Sequence, residues 1–323
     1  MTGTAAARTA WRALAAAALG RHLAHGLDQA AGARDGHDIE FVHRMRVASR
    51  RARAMLVLFA DALPPRHYAW ERALRRLTRA LGRVRDLDVQ IAAITALAVA
   101  CTDRRARPGL ARLRLRLEQK RARRQPRLKR DLDRLTRDPA IAAMGRWTRR
   151  WGGRPLRTGA AVNARAAAAI RAALDAFRAQ AASFARPADT AGHHAARIAM
   201  KHLRYVLETF APLAAGRLDP AVAAAHGLQS LLGDLQDSTV WLETAARFKT
   251  RERRRTERYF GHDRPFAALA PGIAWLAAHF TRRHAILLAD TAAAWEEACS
   301  AGIFERAVEA MAPNDRGNSH GHQ

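Results

Sequence analysis

The sequence predicts an all-α protein made of two four-helix bundles that arose by an internal duplication. Three observations predict it: an alanine-rich composition, long segments in which apolar residues recur with a helical period, and a segment that reappears later in the chain at a constant offset. Alanine has the highest helix propensity of all residues. Stretches rich in Val, Ile, Thr and Tyr, which would favour strands, are nearly absent. We therefore expect helices and no sheet.

Helical periodicity predicts the elements of the first half in order. Helices are expected over residues 8–30, 38–62, 66–98 and 109–150. The last of these contains Pro126 and Pro139, and we expect it to break there because proline lacks an amide hydrogen and clashes with the preceding turn. Turns are expected at Pro64-Pro65, Pro108-Gly109, Pro212 and Pro271-Gly272.

A constant offset of 151 residues maps a segment of the first half onto the second half without a gap. His43 then falls on His194, and Arg46 falls on Arg197. The register continues to Leu81-Gly82, which match Leu232-Gly233. It also covers Asp86, which matches Asp237. A shared offset over about fifty residues is hard to obtain by chance, so the sequence predicts a duplication.

The duplication sets the expected boundaries. The first bundle should occupy residues 1–155, because Gly152-Gly153 and Pro155 interrupt the helical pattern, and the second bundle should occupy residues 156–312. Each half supplies at least four helices, which is the number in an antiparallel bundle. The tail 313–323 is rich in Asn, Gly and Ser and is expected to be disordered.

The charge balance points to a polyanionic partner. The chain has 56 basic and 29 acidic residues, a net charge of +27, and all but four of the basic residues are arginines. A GC-rich genome would explain arginine in place of lysine, but it would not explain the net excess. Arginine can bind a phosphate group with two parallel hydrogen bonds. The composition therefore favours a phosphate-rich ligand.

Several other classes of protein are disfavoured. Cys101 and Cys299 are the only cysteines, so neither a disulfide framework nor a cysteine metal site is expected, and a reducing cytoplasm fits. No stretch approaches the roughly 18 apolar residues of a membrane-spanning helix, so no membrane partner is expected. The chain has no P-loop, no dinucleotide-binding glycine motif and no HExxH motif. We expect no enzymatic activity, no cofactor and no bound metal.

Two His-Asp pairs leave one enzymatic alternative open. His37-Asp38 and His262-Asp263 resemble the dipeptide of metal-dependent phosphohydrolases. Each pair follows a glycine in a turn-like context, which favours a role at the start of a helix. A metal-dependent phosphohydrolase is therefore the weakest alternative.

A helical projection separates a cationic strip from an apolar face. At about 100° per residue, the basic residues of the second helix share one narrow strip, and its apolar residues lie opposite. The strip consists of His43, Arg46, Arg50 and Arg53 in the first copy and of His194, Arg197, Lys201 and Arg204 in the second. Exposed helix faces usually mix positive and negative charges, whereas these residues are spaced to repel one another. The strip is therefore predicted to bind an anion.

The third helix adds a second row of cations in the first half. This row consists of Arg72, Arg75, Arg76, Arg79 and Arg83. The matched positions of the second half have lost most of these charges, so binding is expected to be unequal between the halves. The basic segment 112–130 could line the same groove or could be solvated surface, and the sequence does not distinguish the two.

These motifs resemble those of the CHAD family, the conserved histidine α-helical domain. The resemblance rests on residues 43–53 and 81–89 in the first half and on residues 194–205 and 231–237 in the second. It implies two four-helix bundles related by a pseudo-twofold axis, which bind polyphosphate in a basic central channel. Some members of the family associate with polyphosphate granules.

The resemblance is carried over residue by residue. It implies polyphosphate contacts by His43, Arg46, Arg50, Arg51 and Arg53 and by His194, Arg197, Lys201, His202 and Arg204. To these we add Arg76, Arg79 and Arg83 from the third helix. Asp86 and Asp237 also match the motifs, and we expect them to anchor arginines by ion pairs.

Inorganic polyphosphate is expected in preference to nucleic acid. Nucleic-acid grooves usually carry aromatic side chains on which bases stack, and Tyr205 is the only aromatic residue on either strip. Nucleic acid remains the main alternative, because phosphate contacts alone give salt-dependent binding. The sequence thus predicts a cytoplasmic, non-enzymatic polyphosphate-binding protein that associates with polyphosphate granules. It indicates neither the chain length bound nor the oligomeric state.

Overall fold

The structure, a computed structural model, describes residues 2–154 and 159–312, and within these ranges every regular element is helical. The helices of the first half are α1 (Thr2–Asp28), α2 (Ala30–Asp35), α3 (Ile39–Leu58), α4 (His67–Ala100), α5 (Arg107–Leu135) and α6 (Pro139–Gly152). Those of the second half are α7 (Ala160–Ala181), α8 (Thr190–Phe210), α9 (Asp219–Phe260), α10 (Ala270–Ser300) and α11 (Ile303–Met311). The predicted all-α fold class is confirmed.

The ends of the helices follow local signals in the sequence. The side chain of Asp38 accepts a hydrogen bond from the amide of Glu40 at 2.8 Å and caps α3, and Asp189 caps α8 through the amide of Gly192 at 2.8 Å. The capping positions Asp38 and Asp189 are related by the 151-residue offset. The expected boundary at residues 155–156 and the expected disorder of residues 313–323 lie outside the described residues.

The predicted break at Pro126 is wrong, because α5 continues through this proline. The helix ends instead before Pro139, which occupies the first turn of α6. A proline inside a helix costs about 3 kcal/mol, and contacts on both sides of Pro126 offset this. Arg121 donates to Asp88 at 2.6 Å, and Leu128 is buried in the core.

Two clusters of buried apolar residues form the core, and each draws on both halves of the chain. In the larger cluster Trp11 packs against Phe59 and Phe210, with ring centroids 4.8 and 5.9 Å apart. Phe59 and Phe210 are related by the repeat offset. In the smaller cluster Ile94 of α4 and Trp241 of α9 pack with residues of α5 and α10. The halves are thus joined by shared cores.

Helices α5 and α10 approach each other backbone to backbone at two glycines. A Cβ atom at Gly109 would overlap the carbonyl oxygen of Leu269, and one at Gly272 would overlap the carbonyl oxygen of Ala106. Both glycines were expected to mark turns, but the structure places them in the first turns of α5 and α10, where they permit this close crossing.

No helix within residues 2–154 and 159–312 is long and apolar enough to cross a membrane.

Candidate functional site

Helices α3 and α8 contact each other and bring their cationic strips together, and we call the surface between the two strips the groove. Arg46 and Arg50 of α3 lie close enough to Arg197 and Lys201 of α8 for the charges to act on one another. We call these four residues the central cluster. Burial lowers the pKa of Arg50 and of Arg197, and the charge of Arg46 lowers both further. The two strips therefore form a single concentration of positive charge.

Lys201 is the most perturbed member of the central cluster. Its side chain is 8% exposed, and no ion pair of its ammonium group occurs among the described residues. Burial and then the charges of Arg50, Arg197, Arg46 and Arg204 lower the pKa of Lys201 to about 6. A lysine is kept in such a place at a cost in stability. A bound anion would restore the charge of Lys201 and reduce this cost.

Two aspartates at matched positions lie beside the central cluster. Asp86 accepts from Arg46 at 3.3 Å, and the carboxylate of Asp237 raises the pKa of Arg197 against the larger effect of burial. The expected ion pair with an arginine is present for Asp86, whereas Asp237 forms no ion pair among the described residues. The Nε atoms of Arg46 and Arg197 are buried without a hydrogen-bond partner. The aspartates therefore compensate only part of the positive charge.

Arg51 and Arg204 join α3 to α8 through a shared carboxylate. Glu208 lies 2.9 Å from Arg51 and 2.8 Å from Arg204. Both guanidinium groups also lie over the ring of Tyr205, at 5.5 and 5.2 Å from its centroid. Tyr205 is 7% exposed. These two arginines hold the groove together, and the Tyr205 ring has little surface left on which a base could stack.

The remaining predicted arginines differ in whether they form ion pairs with acids on neighbouring elements. Arg53 contacts Glu71 at 3.1 Å, and Arg76 contacts Asp138 at 2.7 Å. Arg79 and Arg83 are exposed on α4, and neither forms an ion pair within the described ranges. The structure therefore separates the predicted residues into the central cluster, a set of pairs that hold helices together, and two free surface arginines.

The strip histidines lie at the rim of the groove. His194 faces Gln236, with Nδ1 2.7 Å from the amide oxygen. His43 lies near Arg85, whose charge adds to the effect of burial and lowers the His43 pKa. Arg85 and Gln236 are related by the repeat offset, so extending the self-comparison to these two positions would have found both partners.

His202 does not belong to the strip, because it projects from another face of α8. It is half-buried, and burial lowers its pKa. Its match to the family motif predicts a ligand contact, but its burial favours the uncharged imidazole, which attracts an anion less strongly.

The His-Asp pairs take structural positions. Asp38 caps α3, and Asp263 accepts from Arg253 at 2.7 Å just before a short 3-10 turn. The expected role at the start of a helix is confirmed for Asp38. Among the residues that the structure describes, no group of three or more His, Cys, Asp or Glu side chains is arranged to hold a metal ion.

Comparison with known proteins gives a family and a fold. The family model described as CHAD domain matches residues 17–246, a span that includes both cationic strips. No curated protein matches the sequence. The solved CHAD domain from the plant Ricinus communis is 25% identical with a TM-score of 0.64, covering 90% of this chain and 91% of that one. PptA from Streptomyces chartreusis is 17% identical with a TM-score of 0.60, covering 88% and 98%, and is similar in fold.

Proposed function

Because the chain belongs to the CHAD domain family, we propose that it binds inorganic polyphosphate in the groove between α3 and α8 and catalyses no reaction on it. It is expected to do so in the cytoplasm and in association with polyphosphate granules. The central cluster is the observation that carries the proposal. Four basic side chains from two helices share one groove, and burial together with the neighbouring arginines lowers the pKa of Lys201 to about 6.

The chemistry of the groove suits a linear phosphate chain. Polyphosphate presents only charged oxygens, and the groove presents guanidinium and ammonium donors, which make short charge-assisted hydrogen bonds to such oxygens. An exposed phosphate contact contributes little, but a contact in a partly desolvated groove is stronger.

The geometry favours polyphosphate over nucleic acid. Tyr205 is the only aromatic residue of the strips, and its ring is buried beneath Arg51 and Arg204. Binding to single-stranded nucleic acid usually depends on stacking of bases on exposed aromatic rings. Sequence-independent contacts with phosphates remain available to DNA, and they would be strongly salt-dependent.

The test reverses two charges of the central cluster. Arg50→Glu combined with Lys201→Glu should weaken the affinity for long-chain polyphosphate by a factor of about 100 or more, because each lost charged contact contributes roughly 1.5–3 kcal/mol. Arg149→Glu with Arg171→Glu makes the same change of net charge at exposed positions and should weaken binding far less. Calorimetric titration at constant ionic strength measures the affinities, and circular dichroism checks the helix content.

The double variant introduces a carboxylate at a buried position, so Arg50→Gln with Lys201→Gln provides a milder form of the same test. Undiminished polyphosphate binding by a folded variant of either kind would refute the assigned site.

A competition experiment distinguishes the ligands. Long-chain polyphosphate should displace single- and double-stranded DNA from the protein at each of several salt concentrations. A preference for DNA would replace the proposal with nucleic-acid binding. The chain-length distribution of polyphosphate should also stay unchanged during incubation with the protein and divalent cations, and its shortening would show an enzyme.

A further inference from the structure

Helices α4, α5 and α9 enclose a basic cleft that none of the assigned site residues lines. The cleft has a volume of about 500 Å³, and its floor includes the apolar side chains Leu113, Leu117 and Phe248. Its walls carry six basic side chains and no acidic one: Arg116, Lys120, Arg123, Arg247, Arg251 and Arg255. These cations come from segments more than 120 residues apart in the sequence, which only the fold brings together.

A buried carboxylate holds two of these arginines in position. Glu252 is 2% exposed, and its oxygens lie 2.8 Å from Arg116 and 3.1 Å from Arg255. Burying a carboxylate costs several kcal/mol unless it is paired in this way. The arrangement fixes the two guanidinium groups at the wall of the cleft before any ligand arrives, which lowers the entropy lost on binding.

Three other cations of the cleft form no ion pair among the described residues: Lys120, Arg123 and Arg251. Burial and then the charges of Arg124, Arg251 and Arg247 lower the pKa of Lys120. Cations that lie this close without acids between them destabilise the protein, and an anion in the cleft would remove the repulsion.

The cleft adjoins the central cluster. Asp86 of α4, which accepts the ion pair from Arg46, lies one helical turn from Gln90, and Gln90 lines the cleft. Asp86 therefore marks the point at which the groove between α3 and α8 meets the cleft. A flexible linear anion could pass from one to the other along α4, where Arg46 neutralises the carboxylate of Asp86.

We propose that the cleft extends the polyphosphate site, so that one chain runs from the central cluster past Asp86 into the cleft. This inference rests on the proposed function. It assigns ligand contacts to Lys120, Arg123, Arg247 and Arg251 and predicts that the cleft makes binding depend on chain length. Short chains occupy the central cluster alone, and long chains gain the additional contacts.

The test removes charge from the cleft and compares two lengths of ligand, tripolyphosphate and long-chain polyphosphate. The cleft variant combines Lys120→Gln, Arg123→Gln and Arg251→Gln. These positions are exposed and unpaired within the described part of the chain, so the fold should tolerate the changes. A matched control removes three charges from exposed positions of α6 and α7: Arg149→Gln, Arg150→Gln and Arg171→Gln.

The expected result is selective. The cleft variant should bind long-chain polyphosphate about tenfold or more weakly, with a salt dependence reduced by about two charges, and should bind tripolyphosphate within about twofold of the wild type. The control variant should retain both affinities within about twofold. Single Lys120→Gln, which changes one exposed side chain, should show a smaller loss in the same direction.

Two results would overturn the inference. If the cleft variant binds long chains as the wild type does, the chain does not enter the cleft. If it loses both ligands equally, the cleft is not an extension but the primary site. The charge-reversal variant of Arg50 and Lys201 tests the central cluster separately. Failure of the wild type to bind either ligand would instead refute the proposed function together with its extension.

Discussion

Replacing Lys201 with methionine should stabilise the unliganded protein, and the gain should shrink as the pH rises. The pKa of this lysine is about 6 in the folded protein, lowered first by burial and then by the neighbouring arginines, and 10.5 is its ordinary value. Between these two pH values the unfolded chain binds the proton and the folded chain largely does not. The wild-type protein therefore loses stability as the pH falls from 10.5 through 6 and gains stability as the pH rises over the same range. The variant lacks this dependence, so its advantage shrinks with rising pH.

The size of the effect follows from the same shift. One group contributes up to about 1.4 kcal/mol per pH unit within the window between its two pKa values. Because Lys201 is only 8% exposed, solvent screening reduces this little. Methionine has a similar shape and no charge. The advantage of Lys201→Met over the wild type should therefore decrease by roughly 2–3 kcal/mol between about pH 6.5 and 8.5.

Urea unfolding at several pH values measures this difference. The buffers should contain neither phosphate nor sulfate, because a bound anion would stabilise the wild type. Lys129→Met changes an exposed lysine and should differ from the wild type by a constant amount across the range. If the difference between Lys201→Met and the wild type is also constant, Lys201 stays charged in the folded protein, and the reasoning from its burial is refuted.

Three further predictions concern binding, the cleft and the helix crossing. Polyphosphate should raise the pKa of Lys201 on binding, so affinity should increase as the pH falls toward 6 and level off below it, and Lys201→Arg should flatten this profile in calorimetric titrations. Glu252→Gln should destabilise the protein by about 3 kcal/mol in urea unfolding, because it leaves the arginines around this buried position without a counter-charge. Gly109→Ala should lower stability by about 1–3 kcal/mol through overlap with Leu269, and an unchanged thermal midpoint would contradict the close crossing.

Much of the fold and part of the site could be predicted because they depend on residues close together in sequence. A helix forms from contacts three or four residues apart, so periodicity predicted the segments that became α3 and α4 to within a few residues at each end. The expected break at Pro126 was wrong because the contacts that offset it, such as Arg121 with Asp88, join distant segments.

For the site too, the sequence predicted what depends on spacing along one helix and missed what depends on contacts between helices. Helical projection grouped His43, Arg46, Arg50 and Arg53 on one strip, but it could not show that Arg53 reaches Glu71 on the next helix. It also treated every strip residue as equally available. Arg51 was carried over with the others as a ligand contact, although Glu208 from the opposite half already occupies it. Ion pairs between helices depend on rotamers and distances in space, which a projection of one helix does not contain.

The sequence by itself determined that the chain is helical, strongly cationic and repeated at an offset of 151 residues, because composition and spacing are properties of the linear chain. Only the tertiary structure decided that the two strips meet in one groove, that Lys201 is buried there with a pKa of about 6, and that α5 and α9 enclose a basic cleft beside it. The physical reason is that desolvation and charge repulsion depend on what surrounds a group in space. Helices distant in sequence supply those surroundings.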